Sequence, residues 1–167
     1  YLMTIFKEIY DLLYNNDCVI VPGFGAFVLK SHSAYIKDDT FYPPRKVISF
    51  NAMLDENDGL LVKHLSTSRN ISYKKALKTI NDETQSLKNE LSADKKSKID
   101  PLGYIELSSE GNLVFYPKES INFESNSFGL TSFSKQPILK SVKKDVPFKT
   151  ASSITPVFRY AAIFIAL

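Results

Sequence analysis

The chain has 167 residues, 44% of them hydrophobic and 13% aromatic, which suits one ordinary or two small packed domains and excludes general disorder. Its one cysteine, Cys18, excludes an intramolecular disulfide framework and fits a reducing compartment, and the two histidines, His32 and His64, lack metal-ligand spacing. The net charge of +3 is unevenly spread: residues 1–134 hold 15 basic and 17 acidic groups, net −2, whereas six basic groups face one acid from residue 135 onward, net +5.

Residues 2–14 carry Leu2, Ile5, Phe6, Ile9, Leu12 and Leu13 at intervals of three and four, one apolar helix face. Lys7, Glu8 and Asp11 interrupt the segment, so it does not resemble a signal peptide. Asn15-Asn16-Asp17 ends the helix, and Cys18-Val19-Ile20-Val21 reads as a strand of β-branched residues, with Cys18 expected to be a buried, inert thiol. Pro22, Gly23 and Gly25 then form a structural corner, where glycine permits a bend or a close backbone approach. Gly23-Phe24-Gly25 lacks the third glycine and the following helix that a dinucleotide site needs.

A loop is expected through Ser31-His32-Ser33 and Lys37-Asp38-Asp39-Thr40. Pro43-Pro44 excludes a central strand at that point, and a strand resumes over 47–50. A short helix is expected at about 58–68, with His64 on one of its faces. Ser72 is the predicted N-cap of a longer helix in which Tyr73, Leu77, Ile80, Thr84, Leu87 and Leu91 recur at spacings of 4, 3, 4, 3 and 4.

After a polar link at 94–98 the corner returns. Asp100-Pro101-Leu102-Gly103 parallels the first corner, with Pro101 and Gly103 as its key residues, and Ser108-Ser109-Glu110-Gly111-Asn112 makes a hairpin turn. Phe115-Tyr116-Pro117-Lys118 is matched to Phe41-Tyr42-Pro43-Pro44, and Phe123 to Phe50. Three landmarks in one order indicate an internal repeat. Residues 134–156 read as a basic flexible linker. The apolar run at 157–167, preceded by lysines and containing Arg159, reads as the start of a transmembrane helix that would leave residues 1–156 in the cytoplasm. The chain is expected to be a fragment of a longer protein.

The repeat resembles the HU/IHF superfamily of small nucleoid proteins. The second unit carries the likeness through its short helix at 59–65, its long helix at 73–91 and the Gly103 corner. In the first, Gly23-Phe24-Gly25-Ala26-Phe27 is similar to the family's Gly-Phe-Gly-x-Phe signature, and Phe50 with the helix after it matches the family's aromatic and closing helix. More narrowly, Asp17 to Gly25, Pro43-Pro44-Arg45-Lys46 and Phe50-Asn51 resemble tandem prokaryotic HU-like domains of the CCDC type. The resemblance implies an α+β fold of two HU-like units, 1–54 and 55–133, whose helices pack on small antiparallel sheets. It also implies a bacterial inner-membrane protein with a peptidoglycan-binding SPOR domain outside this sequence, linking cytoplasmic or nucleoid factors to the cell wall, with cell division as the process it suggests.

Two functions stay open. A DNA-binding reading uses Arg45 and Lys46, with Lys30, Lys37 and Lys118, and a proline wedge at Pro43 or Pro44 should it sit at a tip. Only 25 steps separate Gly25 from Phe50 and 20 separate Gly103 from Phe123, however, which is short for the long basic arm of HU, and residues 1–134 are net acidic. The preferred reading is a non-enzymatic protein-interaction module, its two units packed as a pseudo-dimer, with Tyr35, Tyr42 and Tyr116 as candidate contact aromatics. No nucleophile–base pair, metal set or phosphate loop emerges, so neither catalysis nor a cofactor is expected.

Overall fold

The computed structural model describes residues 5–134. The expected membrane segment, and all of the expected linker except Ser134, lie outside the described residues. The fold is α+β, three helices with small antiparallel sheets. Helix α1 (Ile5–Leu13) buries Ile5, Phe6, Ile9, Leu12 and Leu13, the face its periodicity marks out. Five strands follow: β1 (Cys18–Val21), β2 (Gly25–His32), β3 (Tyr35–Lys37), β4 (Thr40–Tyr42) and β5 (Arg45–Asn51). Then come helices α2 (Leu60–Ser68) and α3 (Tyr73–Asp94), and strands β6 (Lys96–Ile99), β7 (Gly103–Leu107), β8 (Leu113–Pro117) and β9 (Phe133–Ser134). The sheets are ordered β1-β2-β5, β3-β4-β9 and β6-β7-β8. Among the described residues no helix is long and apolar enough to cross a membrane.

Both halves of the repeat supply one core. Phe27, fully buried on β2, lies 6.2 Å from Phe6 of α1, 5.3 Å from Phe50 of β5 and 5.5 Å from Phe115 of β8, ring centre to ring centre. Leu61, Val62 and Leu65 of α2 and Ala76, Ile80, Leu87 and Leu91 of α3 complete that core. Ser72 caps α3 by accepting a hydrogen bond from the Lys75 N–H at 3.3 Å, one of the donors that a helix start otherwise leaves unmet. Polar contacts join α1 to α2: the Glu8 carboxylate lies 2.9 Å from His64 Nε2 and 3.5 Å from Arg69 Nε, and accepts from the Ser68 hydroxyl at 3.3 Å.

The corner is repeated in its closing pair and hydrogen bond, over two different turns: Gly23, at φ of +67°, stands where the second corner has Pro101 after a cis peptide bond. Val21 pairs with Gly25 and Ile99 with Gly103 across tight turns. Phe24 N–H donates to Val21 O at 3.0 Å, and Leu102 N–H to Ile99 O at 2.9 Å. Gly25 and Gly103 have φ of +146° and +149°, a conformation that side chains resist. A Cβ on Gly25 would meet the Phe50 ring and, at 2.8 Å, Asn51 O; one on Gly103 would meet Tyr116 O.

Strand register corrects the rest of the repeat. Phe27, two residues beyond Gly25, pairs with Phe50, and Ile105, two beyond Gly103, pairs with Phe115. Phe115 is therefore the counterpart of Phe50, not of Phe41, and Phe123 is not. Instead Phe123 packs on Tyr10 and Tyr14 of α1, and its N–H donates to Lys46 O at 3.2 Å. Two further expectations change. The polar link at 94–98 contains strand β6, where alternation buries Ser97 and Ile99 and leaves Lys96 and Lys98 outside. The loop expected before Phe41 is the end of β2 and the β3–β4 hairpin. The short helix expected at about 58–68 is α2, Leu60–Ser68.

Candidate functional site

Between β2 and β5 the first unit carries a short arm. The β2–β5 ladder runs out to the pair His32 and Arg45. Proline has no N–H to extend a ladder, and the pairing breaks where Ser33-Ala34 faces Pro43-Pro44. It resumes as β3–β4, with Tyr35 opposite Tyr42 and Lys37 opposite Thr40. The turn at the end consists of Asp38 and Asp39 at φ of 50° and 57°, the left-handed pair of a tight hairpin. The tip is thus two exposed carboxylates, whereas Pro43 and Pro44 are half-buried at the break in the shaft, so the condition set for a proline wedge, a place at the tip, is not met. The arm does not stand free, because β9 adds a third strand alongside β4 and places Phe133 5.1 Å from Phe41. In the second unit β7 and β8 are joined only by the turn through Ser108 and Asn112, and there is no arm.

The five candidate basic residues fall in different places. Lys30 and Arg45 share one face of the first sheet with His32, since Lys30 pairs with Val47 and His32 with Arg45. Lys37 sits beside the acidic tip. Lys46 faces the other side of the ladder, and its ammonium lies 3.0 Å from Asp17 Oδ1. That hydrogen bond, followed by Asp17's charge, pushes the Lys46 pKa above the ordinary lysine value. The Lys46 backbone is engaged as well, donating to Asn122 Oδ1 at 3.0 Å. Lys46 therefore ties β5 to the segments on either side of it. Lys118 follows β8, where its N–H donates to Leu102 O at 2.9 Å. The structure brings together Lys30 and Arg45, and leaves the other three apart from them.

Lys118 lies in a feature that pattern reasoning missed, an open basin of about 410 Å³ on the second sheet, lined also by Lys96, Lys98, Tyr104 and Tyr116. The two tyrosine rings stack with centroids 4.7 Å apart and planes 15° from parallel. Lys96 Nζ sits 3.8 Å above the Tyr104 ring centre and 2.7 Å from Glu106 Oε1. The Glu106 hydrogen bond raises the Lys96 pKa above the ordinary lysine value, so its ammonium stays charged. A signal did exist in the alternation of Lys96-Ser97-Lys98 and Tyr104-Ile105-Glu106, which puts these residues outside and Ser97 and Ile105 inside. Of the candidate aromatics, Tyr35 and Tyr42 stack on each other in the arm at 4.7 Å, and Tyr116 belongs to the basin.

Cys18 is half-buried rather than buried, and burial, followed by Asp58's charge, pushes its thiol above the ordinary value, which makes it a poor nucleophile at neutral pH. Among the described residues no three His, Cys, Asp or Glu side chains gather to hold a metal ion.

Residues 2–58 match the family model described as CCDC81-like prokaryotic HU domain 1, and residues 59–128 match the model described as CCDC81-like prokaryotic HU domain 2. No curated protein and no solved structure matches the chain.

Proposed function

The chain carries the two CCDC81-like prokaryotic HU domains in tandem, a module of DNA or protein binding, and from that premise we propose that it recruits a protein partner and is not an enzyme. The observation that carries this reading is the arm. It is short, ends in Asp38 and Asp39, is flanked by β9, and has no equivalent in the second unit. Two carboxylates at the point of furthest reach repel phosphate, and Lys46 is already held by Asp17. A protein that neutralises several phosphates instead presents a continuous basic surface.

The alternative, direct HU-like DNA binding, draws on Lys30, His32 and Arg45 along one sheet face. Titration of duplex DNA at several salt concentrations separates the two. Recruitment predicts no salt-dependent binding even at low salt. Binding whose logarithm falls with log salt by about 0.9 per phosphate contact, and which Arg45→Glu abolishes, would establish the DNA reading instead.

We further propose that the module lies on the cytoplasmic side of a bacterial inner membrane and reaches peptidoglycan through a SPOR domain outside this sequence. The Lys-rich composition of residues 135–159, the apolar run at 157–167 and the resemblance to membrane-anchored tandem HU-like proteins support this. A reporter fused beyond residue 167 of the full-length protein is expected outside the cytoplasm; a reporter found inside overturns the topology.

A further inference from the structure

The strands on either side of the two corners share one pairing register, so the paired positions of the second sheet have counterparts in the first. Tyr104 corresponds to Ala26, its neighbour Lys98 to Ile20, and Tyr116 to Asn51; Lys96 corresponds to Cys18 and Glu106 to Val28. The same backbone is thus built in the first unit with small or apolar side chains. The fold does not need lysines and stacked tyrosines on that outward face.

Their chemistry selects a ligand. The Tyr104 ring is sandwiched between the Lys96 ammonium on one face and the Tyr116 ring on the other, so the apolar ring surface left open is that of Tyr116, which is 39% exposed. Lys96 is committed to Glu106 at 2.7 Å, while Lys98 reaches Asp100 only at 3.8 Å with its side chain 79% exposed. Lys118 makes no ion pair among the described residues. Two exposed ammonium groups beside a half-open aromatic ring suit a single carboxylate next to an apolar side chain. A phosphate backbone fits less well, because a continuous run of anions would have to pass Glu106 and Asp100.

We propose that the outer face of the second sheet docks a short acidic segment of a partner protein, with a carboxylate on Lys98 and Lys118 and an adjoining apolar side chain on the open surface of the Tyr116 ring. This rests on the recruitment function above and gives it a surface and a partner chemistry. The probes are two capped pentapeptides, Gly-Glu-Phe-Glu-Gly and Gly-Lys-Phe-Lys-Gly, and a short duplex DNA, each titrated into the isotope-labelled chain while backbone amide shifts are followed. The acidic peptide is expected to shift amides of β6, β7, β8 and Lys118, and the lysine peptide to leave them unmoved. Lys98→Glu with Lys118→Glu, both exposed and thus neutral to folding, should weaken the acidic peptide by roughly tenfold or more, the equivalent of about 1.4 kcal/mol. Absent shifts, shifts confined to other elements, or equal response to both peptides would overturn the proposal. Peptide failure without DNA binding removes this surface alone and leaves recruitment standing. DNA shifting the same amides more tightly than the peptide removes both.

Discussion

Replacing Gly103 with alanine tests the repeated corner most directly. At φ of +149° an alanine is strained by about 1–3 kcal/mol. Its Cβ would collide with Tyr116 O and come within 3.1 Å of Pro117 Cα and Lys118 N. All three are backbone atoms of β8 or of the residue directly after it, so relief requires moving β8, an overpacking cost of about another 1–3 kcal/mol. The sum, roughly 2–6 kcal/mol, is a large share of the 5–15 kcal/mol typical of a folded domain. Gly23→Ala is the control. Its φ of +67° is also left-handed, but nothing lies within 4 Å of the added carbon, so it costs only about 1–2 kcal/mol. Gly25→Ala should fall between the two, because part of its obstruction is the Phe50 ring, which can turn aside. Equilibrium urea unfolding followed by circular dichroism measures all three, with an unchanged slope confirming that only stability has moved. If Gly103→Ala proves no more costly than Gly23→Ala, the close approach of β8 to the corner is wrong.

Other perturbations probe the core, a cap and a titration. Phe27→Ala empties the point where Phe6, Phe50 and Phe115 meet and should cost about 3–5 kcal/mol in the same unfolding experiment. Ser72→Ala removes the acceptor for the Lys75 N–H and should cost about 1 kcal/mol, with Ser72→Asp restoring most of it. The Tyr14 hydroxyl, 2.7 Å from that of Tyr10, has its pKa pushed from 10.0 to about 12, first by that hydrogen bond and then by burial. The folded state therefore holds the Tyr14 proton more tightly than the unfolded chain does. The stability this contributes is present below pH 10 and fades as pH rises toward about 12. In a tyrosinate absorbance titration, Tyr10→Phe should move the latest-ionising component to lower pH.

Much of the fold was legible because its signals are local. The 3.6-residue periodicity of Ile5, Phe6, Ile9, Leu12 and Leu13 and of Ile80, Thr84, Leu87 and Leu91 places α1 and α3, and Ser72 marks the start of α3. The double prolines mark the break in the arm. Strand β6 was hidden because its outward residues are lysines, which resemble a polar link unless Ser97 and Ile99 are read as an inward face. The β3–β4 hairpin was hidden because its turn is Asp-Asp rather than one of the more common glycine-containing pairs.

By itself the sequence determined the helices, the two glycine corners, the tandem order of the units and the acidic balance of residues 1–134, each carried by neighbours in the chain or by composition. Tertiary structure alone decided that Phe115 rather than Phe123 answers to Phe50, that carboxylates occupy the arm tip, and that Lys46 is tied to Asp17. It alone also laid Tyr104 on Tyr116 beside three lysines. These facts depend on strand register, and register is set by backbone pairing between residues far apart in the chain, where a shift of one position exchanges the buried face for the exposed one.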